Sequence, residues 1–269
     1  MSENILKKII KKKIEKIDVL KNSTDLNLLN EIINKNNSYI NFKEKIQTNI
    51  NNNKTSIIAE IKKASPSAGL IVKNFDHLSI AKSYYDNGAS FLSVLSEENF
   101  FLGKLDYIKS IKKNLKIPIL SKDFFIDTYQ VALAKSFGAD CILIILAAVD
   151  KILAKDLYQA AKDLNISTLV EVHTEKEAEN ALYFEDSIIG INNRNLKTLK
   201  ISLNTSVNLS KILIPHRNPL VVESGIHSAA DINFIIKNTK ITNFLIGESL
   251  LKSISKNTSL LEKIVQISP

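Results

Sequence analysis

Glycine is scarce in this chain of 269 residues, with seven in all, and cysteine, methionine and tryptophan number one, one and none. So little glycine excludes collagen-like and Gly/Ser-linker classes, and a hydrophobic share of 45% is enough to build a core, which excludes a disordered chain. The lone Cys141 has no partner for an internal disulfide, so a reducing, cytoplasmic setting is expected. Arginine is confined to Arg194 and Arg217, and the formal charge of +8 rests on dispersed lysines. Such a distribution reads as a solvated surface. It lacks the clustered cations and interleaved aromatics of a nucleic-acid site, so no nucleic-acid partner is expected. The longest strongly apolar run, residues 141–149, falls far short of the roughly 20 residues that span a bilayer, and no membrane crossing is expected.

The N-terminus is basic and amphipathic, yet it carries Glu3, Glu15 and Asp18 and has no arginine, apolar h-region or small-residue cleavage site. Ile5, Ile9, Ile10, Ile14, Ile17 and Leu20 recur at helical spacing, which predicts a helix packed on the body of the domain. Residues 1–53 read as a helical extension that ends in the polar run 51–54.

Beyond Ser56, β-branched runs alternate with helical patterns. Candidate strands are 57–61, 91–95, 117–120, 141–146, 168–172, 188–192, 220–223 and 244–247, with helical stretches such as 78–87, 107–113, 129–137, 152–164, 175–183 and 229–237 between them. The strands are continuously apolar, as buried parallel strands are. Eight such units in about 210 residues predict an α/β fold, a (β/α)8 TIM barrel with an N-terminal helical extension, forming one domain over 1–269.

A barrel of this kind carries its site where the strands end. There the apolar runs give way to Glu60, Lys62 and Ser65, to Ser121 and Lys122, to Glu171 and His173, to Asn192 and Arg194, to Glu223 and Ser224, and to Gly247 and Glu248. Charges and amides embedded in apolar strands are unfavourable unless paired or functional, and their recurrence at one rim favours function. Glu60, Glu171, Lys62 and Lys122 supply two carboxylates and two ammonium groups able to divide acid from base work. Asn192 and Arg194 add an amide and a cationic fork for a carbonyl or anion. Ser224-Gly225 and Gly247-Glu248 fall where barrels bind phosphate through backbone N–H groups, which points to a phosphorylated, sugar-like small molecule. A Schiff base on Lys122 or Lys62 stays open at this point. No metal-ligand spacing is legible among His77, His173, His216, His227 and Cys141, and a peripheral hydrogen-bonding role is expected for His173.

These segments resemble the indole-3-glycerol-phosphate synthase family. The likeness runs through residues 58–67 (IAEIKKASPS), 92–98 (LSVLSEE), 122–124 (KDF), 170–173 (VEVH), 189–196 (IGINNRNL), 223–226 (ESGI) and 246–249 (IGES). Ser121 stands where that family often has arginine, and Ala68 and Leu70 where lysine and valine are common. The resemblance implies a lyase that closes an indole ring with loss of CO2 and water, without a cofactor or metal, acting as a monomer. It implies Lys122 as general acid and Glu171 as base, with either Lys122 or Lys62 delivering a given proton, and Glu60 and Asn192 orienting these groups. Ser65 and Arg194 would meet an anthranilate carboxylate, Phe101, Phe124 and Leu196 would wall the aromatic ring, and Ser224, Gly225, Gly247 and Glu248 would hold phosphate. Phosphoribosylanthranilate isomerase, a catalytically silent phosphosugar-binding barrel and a basic nucleic-acid module are the alternatives. The first has a cysteine in its first-strand motif, where this chain has Glu60 and Lys62.

Overall fold

The structure, a computed structural model, describes residues 5–36, 38–196, 198–255 and 260–267. Residues 1–4 of the expected extension, with Glu3, lie outside the described residues. The β-branched runs form strands β1 (Ser56–Ile61), β2 (Phe91–Leu95), β3 (Ile119–Lys122), β4 (Cys141–Ile145), β5 (Ser167–Val172), β6 (Ile188–Asn192), β7 (Leu220–Glu223) and β8 (Asn243–Ile246). All eight pair in parallel and in chain order, and β1 closes the ring against β8 through Ser56 opposite Asn243. Nearly every strand residue is buried, because the barrel interior and the surrounding helices cover both faces.

Two strand boundaries differ from the sequence pattern in an informative way. β3 starts after Pro118, which has no N–H to give a ladder, and runs on through Ser121 to Lys122. Pro118 still contributes its carbonyl, which accepts from Leu92 N at 3.0 Å. β8 ends at Ile246, so Gly247 falls just outside it.

Helices α1 (Ile5–Ser23), α2 (Leu26–Lys35) and α3 (Phe42–Asn51) form the extension. The buried stripe of α1 is Ile9, Lys13 and Ile17, while Ile14 is 52% exposed. Positions four apart stack on one face, so the stripe that begins at Ile9 passes through Lys13 and turns Ile14 outward. Leu29 of α2 and Ile17 pack on Tyr129 and Leu133. α3 lies across the N-terminal mouth of the barrel: Phe42 packs on Phe91 with ring centroids 4.5 Å apart and planes tilted by 39°, Lys43 N donates to Ser167 Oγ, and Ile40 N, just before the helix, donates to Asp140 Oδ1 at 2.7 Å.

The outer ring is α4 (His77–Asp86), α5 (Leu105–Asn114), α6 (Tyr129–Ser136), α7 (Lys151–Asp163), α8 (Glu175–Ala181), α9 (Asn204–Ile212), α10 (Ala229–Thr239) and α11 (Glu248–Ser255), followed by α12 (Leu260–Val265). Several begin at side-chain caps that satisfy their first N–H groups: Asp76 before α4, Asp150 before α7, Thr174 before α8, and a full capping box of Ser228 and Asp231 before α10. The helical stretches of the sequence include neither α9 nor α11. α9 is rich in Asn, Ser, Thr and Val, which are poor helix formers. Tertiary contacts hold it instead: Leu209 is buried, and Asn193 Oδ1 accepts from both Ser206 N and Ser206 Oγ.

Candidate active site

The C-terminal ends of the strands open on a cavity of about 610 Å³. Its floor is set by strand register. Lys122 pairs with Leu95 across β2 and β3, Glu171 with Gly190 across β5 and β6, and Asn192 with Glu223 across β6 and β7. These polar groups therefore lie at the last or next-to-last position of their strands, around one mouth. Every residue to which the sequence gave a catalytic or substrate-binding role lines this cavity, whereas Ser121 and His173 of the rim do not.

Lys122 is the centre of charge. Its Nζ donates to Glu171 Oε2 at 2.7 Å and to Glu223 Oε2 at 3.1 Å. Burial alone would lower its pKa, but Glu171 and Glu223, with Glu60 farther off, outweigh it and hold the ammonium above the ordinary lysine range. A lysine that attacks a carbonyl must first lose its proton, so the Schiff-base alternative finds no support at Lys122. Lys62 has a separate partner, Glu60, with Nζ to Oε1 at 2.5 Å.

The two carboxylates on Lys122 are unlike. Burial works to raise the pKa of Glu171, but Lys122 and then His173 overcome it and hold Glu171 well below the usual carboxylate range. Glu223 is pushed up to about 8, first by burial and then by the charge of Glu171, with Lys122 opposing. One ammonium between two buried carboxylates thus keeps one ionised and leaves the other holding a proton at neutral pH. Glu223 Oε1 has no hydrogen-bond partner and lies against the backbone of Gly190, where an added Cβ would stand 2.2 Å from it.

His173 stands behind the cavity rather than in its lining, as a peripheral hydrogen-bonding residue would. Its Nε2 is 3.1 Å from Glu171 Oε1 and its Nδ1 is 3.3 Å from Glu177 Oε2. Burial would lower its pKa, but these two carboxylates raise it to about 9. A cationic imidazole therefore backs the second oxygen of Glu171 as an ion pair, while its ring hydrogen bond runs from Nδ1 to Glu177 Oε2.

The remaining wall comes from loops. Glu97, buried after β2, accepts from Asn99 N, Phe100 N and Phe101 N and so folds its loop over the mouth, bringing Phe101 to 6.3 Å from Phe124, centroid to centroid. Leu196 and Arg194 follow β6, and Asn192 Oδ1 accepts from Arg194 N at 3.0 Å, which directs that loop across the opening. Ser65 sits in a small hairpin after β1, where its Oγ accepts from Ala68 N. On the opposite side, Ser224 and Gly225 both have positive φ, so the chain turns sharply after β7, and Asn193 Nδ2 binds Ser224 O to hold that turn. Ser249 Oγ bonds Ile226 O and joins this turn to the first residues of α11, where Glu248 begins the helix and N–H groups are free for an anion. Gly247 has a further reason to be glycine. An added Cβ would meet Glu60 Oε1 at 2.3 Å and Lys62 Nζ at 3.1 Å.

Sequence reading placed Glu223 at the rim but left it out of the acid and base set. The signal was present, since Glu223 ends an apolar strand and Glu171 lies one residue before the end of another. Lys252 and His227 also line the cavity on the α11 side and carried no signal in the motifs.

The family model described as indole-3-glycerol phosphate synthase matches residues 6–262. A protein of that name from Legionella pneumophila (strain Lens) is 41% identical over 250 residues, covering 93% of this chain and 94% of its own. Another, from Ruminiclostridium cellulolyticum, is 45% identical over 198 residues, covering 74% and 75%. A third, from Polynucleobacter asymbioticus, is 40% identical over 266 residues, covering 96% and 98%. Among solved structures, a chain from Aquifex aeolicus VF5 superposes with a TM-score of 0.63 at 13% identity, covering 83% of this chain and 97% of that one, a likeness of fold alone.

Proposed function

The chain belongs to the indole-3-glycerol phosphate synthase family and makes indole-3-glycerol phosphate in tryptophan biosynthesis, and we propose that Lys122 and Glu171 carry the proton transfers of that reaction. The substrate is 1-(2-carboxyphenylamino)-1-deoxyribulose 5-phosphate, and the other products are CO2 and water. The observation that carries the assignment is the contact of Lys122 Nζ with Glu171 and Glu223 at the base of the cavity.

In the first step the ring carbon that bears the carboxylate attacks the ribulose carbonyl, and the carbonyl π pair moves to oxygen. Lys122, held as ammonium, stabilises that oxygen and supplies its proton. The C–C bond to the carboxylate then breaks, CO2 leaves, and the bonding pair returns to the ring and neutralises the iminium formed on closure. No external electron acceptor is needed, which is why no cofactor enters the reading. In the last step Glu171, the ionised carboxylate, removes a proton from the carbon beside the new hydroxyl. The hydroxyl departs as water, with the ammonium groups of Lys122 and Lys62 both facing the cavity to protonate it.

Glu60 holds Lys62, Asn192 and Arg194 face the substrate's oxygens, and Ser65 with Arg194 receives the anthranilate carboxylate. Phe101, Phe124 and Leu196 stack beside the ring, so that positioning supplies much of the acceleration. Ser224, Gly225, Gly247 and Glu248 present backbone N–H groups to the phosphate. We extend the reading to a monomeric, cytoplasmic protein, with 1–269 as one domain and 1–53 as its extension. It is supported by the family match over residues 6–262.

The test is turnover of the ribulose substrate, followed by indole fluorescence and CO2 release. Lys122→Ala and Glu171→Gln are each expected to lower kcat by about 100-fold or more. Near-normal turnover in both overturns the roles, and ligand binding without CO2 release by the unaltered protein favours a silent barrel.

A further inference from the structure

A lysine in the buried stripe of an amphipathic helix is out of place unless something across the interface requires its charge. Lys13 occupies such a position in α1, between Ile9 and Ile17, with its side chain 7% exposed. Its Nζ lies 2.6 Å from Asp123 Oδ1, and Asp123 is itself 9% exposed by side chain. Asp123 is the residue between Lys122 and Phe124, so the partner of this helix charge is the peptide segment that carries the proposed acid and one wall of the cavity.

The carboxylate of Asp123 distributes the contact in two directions. Oδ1 also accepts from Phe124 N at 2.7 Å, and Oδ2 accepts from Ser96 Oγ at 3.0 Å. Ser96 in turn donates its N–H to Lys122 O at 3.1 Å, and its hydroxyl is 3.1 Å from Ser121 Oγ. The backbone on both sides of Lys122 is thereby referred to one carboxylate, and that carboxylate to one ammonium on the extension. The far end of the loop is fastened to the same helix: Lys21 Nζ meets Asp127 Oδ2 at 2.6 Å, and the Tyr129 hydroxyl donates to Leu20 O and Thr24 O. A buried ion pair adds little net stability over an apolar pair, but removing one partner leaves the other charge buried and uncompensated.

We propose that Lys13 is a positioning residue for the reaction: through Asp123 it sets the backbone that aims Lys122 and Phe124 into the cavity. This rests on the reading of Lys122 as the acid. Removing the charge while keeping the bulk, in Lys13→Met, leaves the apolar docking of α1 by Ile9 and Ile17 in place but releases Asp123.

The experiment compares Lys13→Met, Lys13→Arg, Asp123→Asn and, as control, Lys12→Met on the exposed face. Two readouts are taken: steady-state kinetics on the ribulose substrate and amide hydrogen exchange over residues 121–128. Lys13→Met is expected to lower kcat about tenfold, a fraction of what an ångström of misplacement removes, and to speed exchange over 121–128 with the barrel strands unchanged. Lys13→Arg recovers most of both, and Lys12→Met matches the unaltered protein. Unchanged kcat and unchanged exchange over 121–128 in Lys13→Met, with only a lower Tm, overturn the proposal. If Lys13→Met fails to fold by circular dichroism, Asp123→Asn is read by the same two criteria. Absence of turnover in the unaltered protein counts against the reaction assignment, while exchange still decides whether the helix charge orders the segment.

Discussion

Replacing Glu223 with glutamine tests the charge logic of the site without removing any atom of its frame. In the folded protein Glu223 keeps its proton up to about pH 8, because burial and Glu171 outweigh Lys122. In the unfolded chain it loses that proton near the ordinary glutamate value of about 4.3. A folded-state pKa above the unfolded one means that the stabilising effect is complete below about pH 4.3 and declines as pH rises toward 8. The decline is about 1.4 kcal/mol per pH unit for one proton. His173, raised to about 9, contributes with the same sign only above its unfolded value of roughly 6.5. Glu171, depressed by Lys122 and His173, gains its share as pH rises through about 4.3 and is settled by about pH 5. Between about pH 5 and 6.5, then, Glu223 dominates among these groups and accounts for a loss of about 2 kcal/mol. Glutamine has no proton to release, so Glu223→Gln should lack this part of the slope. Urea unfolding of both proteins at several pH values, followed by far-ultraviolet circular dichroism, gives the difference directly. All other titrating groups cancel in it if the m-values agree. Parallel pH dependences for the two proteins would falsify the assignment of a bound proton to Glu223.

Two further substitutions test the packing around this centre. Gly190→Ala places a methyl group 2.2 Å from Glu223 Oε1 and 2.6 Å from Leu169 Cδ2, so a loss of about 1 to 3 kcal/mol and a reduced kcat are expected. Wild-type Tm and kcat would show that the carboxylate moves freely. Lys112→Met strands Asp140, a fully buried carboxylate that Lys112 Nζ contacts at 2.9 Å and that also accepts from Ile40 N and Ile119 N. Burial already pushes Asp140 above the usual aspartate range against the pull of Lys112, so a loss of about 3 to 5 kcal/mol is expected by urea unfolding at neutral pH. A loss below 1 kcal/mol would refute the pairing.

Strand positions were legible because burial on both faces leaves runs such as 141–145 with hardly a polar atom, and eight such runs restrict the topology to a closed barrel. The rim residues were legible for the complementary reason: Glu60, Lys122, Glu171 and Asn192 each interrupt or end a run that burial would otherwise keep apolar. What stayed hidden depends on partners distant in the chain. Glu223 looks like any strand-end carboxylate until Lys122 is seen between it and Glu171, 52 positions away from Glu223 in sequence. His173 reads as a loop residue until Glu171 and Glu177 turn its ring inward. Lys13 is indistinguishable from its exposed neighbours Lys11 and Lys12 in a lysine-rich segment, because only Asp123 selects it. α9 is absent from the helical stretches read from the pattern because its residues have weak intrinsic preference and Asn193, just after β6, supplies part of what holds it.

The seam between β1 and β8 has a consequence for synthesis of the chain. Ser56 finds its partner only in Asn243, nearly 190 residues later. At roughly 5 to 20 residues per second, β1 emerges from the ribosome and waits about 10 to 40 s for the strand that covers its open edge. During that interval an apolar strand rich in isoleucine presents unpaired N–H and C=O groups to neighbouring chains. Among the segments made before it, α3 packs on β1, and Asn49 Nδ2 donates to Ser56 Oγ at 3.0 Å. Of the extension, then, it is α3 that meets the first strand, at its N-terminal end, while the edge itself stays open until Asn243–Ile246 is made.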